Sequence, residues 1–184
     1  VVDWKVSCKG ATSEVSYVDG YDNIVELIRH ERNAMDITLV AEGTVSTIDV
    51  AGVYGQDPVN VPTAMFLRET ALTHPGAEIS RLANATASME SELERMHTLK
   101  EELHARLTFD TDATDATTEA ETALLSGHGV CQDYAHIFVS VARATGIPAR
   151  YVSGYLMIPG VEEQTASHAW AETFISGLGW VGFD

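Results

Sequence analysis

Cys131 stands in the stretch of this chain whose residue types promise chemistry. In Gly127-His128-Gly129-Val130-Cys131-Gln132-Asp133-Tyr134-Ala135-His136-Ile137, two glycines allow a tight loop. The run Tyr134, Ile137, Phe138, Val141, Ala142 then steps by three and four residues, as one apolar face of a helix does. The cysteine therefore falls at or near a helix N-terminus. Unsatisfied N–H groups and the positive end of the helix dipole favour a thiolate there, and the same N–H groups can hold an oxyanion when the sulfur attacks a carbonyl. The expectation is a cysteine nucleophile.

Such a nucleophile needs an imidazole to take its proton and a third group to orient that imidazole. His136 follows Cys131 by five residues, about 140° round a helix, and is turned away from the sulfur. His128 precedes the helix by one loop turn and can approach it, with no orienting partner in view. His168 projects from a strand that can pack beside the helix N-terminus, and the adjacent strand ends in Asp184, whose carboxylate can accept the second ring N–H. A metal site built from His128, Cys131, Asp133 and His136 matches no common zinc spacing. Asp133 reads as an acid complementing the dipole in the first helical turn.

The elements that position these groups follow from periodicity and turn chemistry. Residues 1–62 alternate apolar and polar side chains between the turn signals Lys9-Gly10, Asp19-Gly20 and Glu42-Gly43. They predict a small all-β domain with strands at about 3–8, 13–18, 23–29, 36–42 and 44–50, the last two joined by a hairpin turn at Glu42-Gly43. Gly52 to Pro62 reads as the connection out of it. Residues 63–184 form the second domain. Ile79, Leu82, Ala83, then Met89, Leu93, Met96, Leu103 and Leu107 predict one long helix, or two in succession, ending near Leu107, with His97 and His104 as a surface pair. The acidic run Asp110 to Asp115 lacks the glycine a calcium loop needs at its sixth position, and reads as a solvated loop. Thr118-Glu119-Ala120-Glu121 predicts a capping box opening a short helix through Leu124 and Leu125.

The helix from Cys131 is expected to end at Thr145-Gly146, before Pro148. Strands follow at Arg150 to Ile158, Ser167 to Ile175 and Trp180 to Asp184, with a loop at 159–164. His168, Trp170, Glu172 and Phe174 share one strand face. Trp170 is expected to wall His168, Glu172 to anchor its strand by hydrogen bonds, Trp180 to pack in the core, and Tyr134 to be buried on the apolar helix face, with lining of the cleft as its alternative. Arg150 is expected to pair with an acid. A helix followed by three antiparallel strands is an α+β arrangement.

Four blocks now stand in order: Gly129-Val130-Cys131-Gln132-Asp133-Tyr134-Ala135-His136; Ala144-Thr145-Gly146-Ile147-Pro148-Ala149-Arg150-Tyr151-Val152-Ser153-Gly154-Tyr155; Ser167-His168-Ala169-Trp170-Ala171-Glu172; and Gly179-Trp180-Val181-Gly182-Phe183-Asp184. Together they resemble the core of the bacterial transglutaminase-like family of candidate cysteine proteases, within the papain-like superfamily, over about residues 118–184. The N-terminal part resembles that family's accompanying β-rich region. The resemblance implies a transglutaminase-like core in which the cysteine-bearing helix packs on an antiparallel sheet. It also implies a triad of Cys131, His168 and Asp184 and a thioester acyl-enzyme on amide or peptide bonds, opened by water as in a protease or amidase, or by an amine as in a transglutaminase. Family members usually continue past this aspartate with Pro-Thr and a further segment. The alternative is a catalytically inactive binding or scaffold protein with the same fold.

Composition narrows the partners. The net charge of −16 comes from 27 acids against 11 bases, of which only Lys5, Lys9 and Lys100 are lysines, and this disfavours nucleic acid. Apolar stretches break well before the roughly 20 residues of a membrane span, and no leader pattern opens the chain. With Cys8 in a strand-like segment and Cys131 the other cysteine, reduced thiols and a cytoplasmic setting are expected. The expected partner is a peptide or protein amide substrate, with no cofactor, no metal and no membrane.

Overall fold

Strands at the start of the chain and helices after it fall into two units in the computed structural model, which describes residues 2–56, 61–161 and 167–184. One unit comprises Val1–Val50 and Pro58–Val61, the other Ala51–Asp57 and Pro62–Asp184.

In the first unit β1 (Asp3–Lys9), β2 (Ala11–Val18), β3 (Ile24–His30) and β4 (Thr38–Thr44) make two antiparallel pairs, β1 with β4 and β2 with β3. Gly10, at φ 84°, turns the chain between β1 and β2. The β2–β3 turn is tied by Asp19, whose carboxylate accepts from the backbone N–H groups of Tyr21 at 2.8 Å and Asn23 at 2.9 Å. The expected hairpin turn at Glu42-Gly43 is corrected, because both residues lie inside β4 and Gly43 faces Trp4 of β1. A Cβ at Gly43 would lie 2.7 Å from the Trp4 ring, so this glycine serves a close strand approach rather than a turn. The strand expected over 44–50 does not form: β1 already occupies the partner edge of β4, and residues 45–50 carry no regular structure.

The second unit runs β5 (Val53–Gly55), two 3₁₀ turns (Thr63–Leu67, Ala71–Thr73), α1 (Ala77–Thr86), α2 (Glu92–Arg106), β6 (Thr108–Phe109), α3 (Ala120–Ser126), β7 (His128–Gly129), α4 (Cys131–Ala144), β8 (Ala149–Gly154), β9 (His168–Ile175) and β10 (Gly179–Phe183). Its antiparallel sheet has the order β5-β10-β9-β8. Four strands stand where three were expected. The segment read as a connection supplies the edge strand β5, and the Gly182 N–H donates to the Gly52 carbonyl at 2.8 Å. Residues 57–60 of that connection lie outside the described residues, as do 162–164 of the expected 159–164 loop. β8 stops at Gly154, four residues short of Ile158.

Every residue of α4 from Ala135 to Ala142 is buried, between the sheet and the other helices. The helix is wrapped rather than laid on one face, and its Ile137, Val139 and Val141 join Ile79, Met96 and Leu99 in one core. Of the two arrangements expected up to Leu107, the chain forms two successive helices, α1 and α2. Ser91 caps α2 by accepting from the Glu94 N–H at 3.3 Å. The expected capping box at Thr118 is also corrected. Thr118 Oγ1 accepts from the Asp115 N–H at 3.0 Å, and α3 starts at Ala120 without a side-chain cap. Glu121 instead reaches α1, accepting from the N–H groups of Glu78 at 2.8 Å and Ile79 at 3.0 Å, because that helix start has unpaired donors and a positive dipole end. Among the described residues no helix is long and apolar enough to cross a membrane.

Candidate active site

The loop before Cys131 is fixed at several points. Gly127 ends α3 in the left-handed conformation at φ 71°, and β7 pairs in parallel with β6 through Thr108–His128 and Phe109–Gly129. Asp133, two residues into α4 beyond the cysteine, is 1% exposed, and its Oδ2 accepts from the Val130 N–H at 2.8 Å and from Thr114 Oγ1 at 2.6 Å. One carboxylate oxygen thus clamps the residue before the cysteine to the acidic loop. Cys131 is then the first helical residue, whose N–H has no acceptor within its own helix.

Strand pairing brings the imidazole and its carboxylate together. His168 opens β9, Asp184 follows β10, and His168 Nε2 stands 2.7 Å from Asp184 Oδ2. With Nε2–H donating to that carboxylate, the neutral ring keeps its lone pair on Nδ1, so Nδ1 is the basic atom. Trp170 flanks the ring, with centroids 6.1 Å apart and planes tilted by 32°. Its indole Nε1 donates to Glu172 Oε1 at 3.3 Å, and Glu172, 4% exposed, pairs with Arg150 at 2.7 and 2.8 Å. The Arg150 guanidinium lies 4.1 Å from the centroid of the buried Trp180 ring, which completes a bracket behind the imidazole. Gly154, opposite His168 on β8, leaves space for the Trp170 ring edge, since a Cβ there would lie 2.7 Å from it.

Cys131, His168 and Asp184 line one cavity of about 600 Å³. Tyr134 also lines it while donating from its hydroxyl to the Leu107 carbonyl at 2.8 Å, and burial raises its pKa. The other histidines near Cys131 in sequence stand outside the cavity lining. His128 Nδ1 is 3.5 Å from Asp110 Oδ2, a partner the sequence did not suggest. His136 is 8% exposed beside Tyr151, with ring centroids 5.0 Å apart and Nδ1 buried without a partner. Burial holds its pKa below the ordinary value, opposed in part by Asp133. His128, Cys131, Asp133 and His136 do not converge, and among the described residues no group of three or more His, Cys, Asp or Glu side chains is placed to hold a metal ion. His97 and His104 are both exposed, as expected of a surface pair, His97 packing edge-on to Phe183 at 5.3 Å and His104 lining the cavity. Sequence reasoning missed the whole contribution of α2 to this wall: Lys100, Glu101, Leu103 and His104. The only signal for it was the helical period that aligned Leu103 with Leu107.

A model of the Transglutaminase-like superfamily matches residues 80–184. The chain is 43% identical over 67 residues to the uncharacterized protein ML0607 of Mycobacterium leprae, covering 34% of this chain and 23% of that protein. It is 32% identical over 102 residues to the uncharacterized protein Rv2569c of Mycobacterium tuberculosis, covering 50% and 32%. The matched region thus spans 23% to 32% of these curated relatives. Among solved structures, a candidate cysteine protease from Cytophaga hutchinsonii shares the fold with a TM-score of 0.73 at 21% identity, over 100% of this chain and 64% of that one. The periplasmic domain of TgpA from Pseudomonas aeruginosa matches with a TM-score of 0.53 at 25% identity, over 66% and 46%.

Proposed function

This chain belongs to the transglutaminase-like superfamily, and from that premise we propose that it is a cysteine-nucleophile acyl-transfer enzyme acting on amide or peptide bonds. The observation that carries the reading is the His168–Asp184 pair at 2.7 Å, opening on the same cavity as a cysteine at the start of α4. His168 Nδ1 takes the thiol proton, and Asp184 holds the resulting imidazolium. The Cys131 thiolate attacks the carbonyl carbon, forming an S–C bond, and the negative oxygen is received by the Cys131 N–H and the dipole of α4. As the intermediate collapses, the C–N bond breaks and the imidazolium proton passes to the departing nitrogen. The thioester left on Cys131 is opened by water, which gives the acid, or by an amine, which gives a new amide. In each case His168 takes the attacking group's proton and returns it to the sulfur.

The test is the pH dependence of Cys131 alkylation by iodoacetamide, mapped to the residue, in this chain and in His168→Ala and Asp184→Asn. Reaction well below the ordinary thiol pKa of about 8.5, moved back to that range by His168→Ala, supports a thiolate–imidazolium pair. An ordinary profile unaffected by the histidine refutes it and leaves the inactive scaffold.

A further inference from the structure

The sheet that carries His168 ends in an open edge. Among the described residues β8 has β9 as its one strand neighbour, in unbroken register from Ala149–Thr173 to Gly154–His168. The Pro148 carbonyl accepts from the Phe174 N–H at 2.8 Å, so that facing pair is a hydrogen-bonded one. Antiparallel alternation then turns the N–H and C=O of Arg150, Val152 and Gly154 toward β9, and those of Ala149, Tyr151 and Ser153 outward. The Ala149 carbonyl is closed by the Arg143 guanidinium, with Nε at 3.1 Å and Nη2 at 2.9 Å. Tyr151 and Ser153 are exposed, and their outward N–H and C=O groups have no backbone partner among the described residues. Protected edges carry lysine, proline or a bulge. β8 has none of these, and the guanidinium of its Arg150 is turned to Glu172.

This edge lies alongside the candidate active site. Gly154, at its end, stands opposite His168. The Tyr151 ring packs on His136 of α4 with centroids 5.0 Å apart. Burial raises the Tyr151 pKa, and the Cys131 and Asp133 charges add to the rise, in keeping with a position beside the first turn of α4. Neighbouring strands lie about 4.8 Å apart, so a strand added beyond β8 runs about 10 Å from β9. At about 3.3 Å per residue, three residues of extended chain span that distance from a carbonyl held between Cys131 and His168. The edge offers alternating main-chain donors and acceptors, and the chemistry that matches them is another extended peptide main chain.

Resting on the acyl-transfer reading above, we propose that the open edge of β8 docks the substrate: an extended peptide segment, about three residues from the bond that Cys131 attacks, adds to the sheet through the backbone groups of Tyr151 and Ser153. The experiment incubates the full chain with a mixed-sequence peptide library and maps the cuts by mass spectrometry, with Cys131→Ala as the blank. Proline cannot donate to the edge, so it should be depleted about tenfold at one or two alternate positions roughly three residues from the cut, on one side of it. For a cleaved peptide, N-methylation of the backbone at such a position should lower kcat/KM by about tenfold, and methylation at the position between should not. Ser153→Pro removes an outward N–H and spares the β9 ladder, and should lower kcat/KM for the same peptide by a similar factor, with iodoacetamide alkylation of Cys131 as the check that the site is folded. Cleavage indifferent to proline and to N-methylation overturns this inference and leaves the acyl-transfer reading intact. So does a reactive Cys131 that cleaves no member of the library, or a dimer in sedimentation that Ser153→Pro dissociates, which assigns the edge to a second copy of the chain. An ordinary Cys131 thiol with no cleavage overturns both.

Discussion

Thr114→Val isolates one hydrogen bond that holds the loop before Cys131. Thr114 Oγ1 donates to Asp133 Oδ2 at 2.6 Å, and among the described residues the one other donor to that oxygen is the Val130 N–H at 2.8 Å, while Oδ1 is buried with no partner among them. Valine keeps the shape of threonine and removes the donor, leaving a carboxylate that is 1% exposed with one hydrogen bond in place of two. A hydrogen bond to a charged group contributes about 1.5–3 kcal/mol. Thr114 is only part-buried, which sets the expected loss near the middle of that range, about 2 kcal/mol. With a urea slope of about 2 kcal/mol/M this lowers the unfolding midpoint by about 1 M. The assay is equilibrium urea unfolding followed by tryptophan emission, to which Trp170 and Trp180 of the same unit contribute. Repeating it in an Asp133→Asn background completes a double-mutant cycle. With the charge gone, the same Thr114→Val change should cost less than about 1 kcal/mol. A loss below about 0.5 kcal/mol in the wild-type background, or equal losses in both, refutes the clamp.

Other perturbations follow from the same geometry. His136 has its pKa lowered by burial, so below the ordinary 6.5 the unfolded chain binds the proton more readily than the folded one. Stability is therefore full above that value and falls as pH drops from it toward the folded pKa. The urea midpoint measured from pH 8 to 5 should show this fall, and His136→Phe, which preserves the ring against Tyr151, should flatten it. Gly154→Ala drives a methyl into the Trp170 ring edge and should cost about 1–3 kcal/mol in urea unfolding, with a shift in tryptophan emission. Glu121→Ala removes two acceptor contacts from the start of α1 and should cost about 1–2 kcal/mol, with Glu121→Gln recovering part of it in thermal unfolding.

Local interactions made a good part of this chain legible. The Gly-rich loop, the apolar repeat after it and Thr145-Gly146 before Pro148 bounded α4 correctly, since helix starts and stops depend on residues within one or two turns. The four ordered blocks around Cys131, His168 and Asp184 pointed to the transglutaminase-like superfamily because their spacing is a property of the chain itself. Interactions between distant segments were not legible. Glu121 has the local form of its own helix cap, yet two N–H donors more than forty residues upstream compete for it and win. Glu42-Gly43 has the form of a turn, yet pairing with β1 draws it into a strand. β5 joins the sheet only because the β10 edge lies open to it, and α2 walls the cavity only because α4 packs against it. Periodicity states which face of an element is apolar; which partner covers that face is decided by the competition of all segments for burial and hydrogen bonds, and that competition is resolved only in the folded molecule.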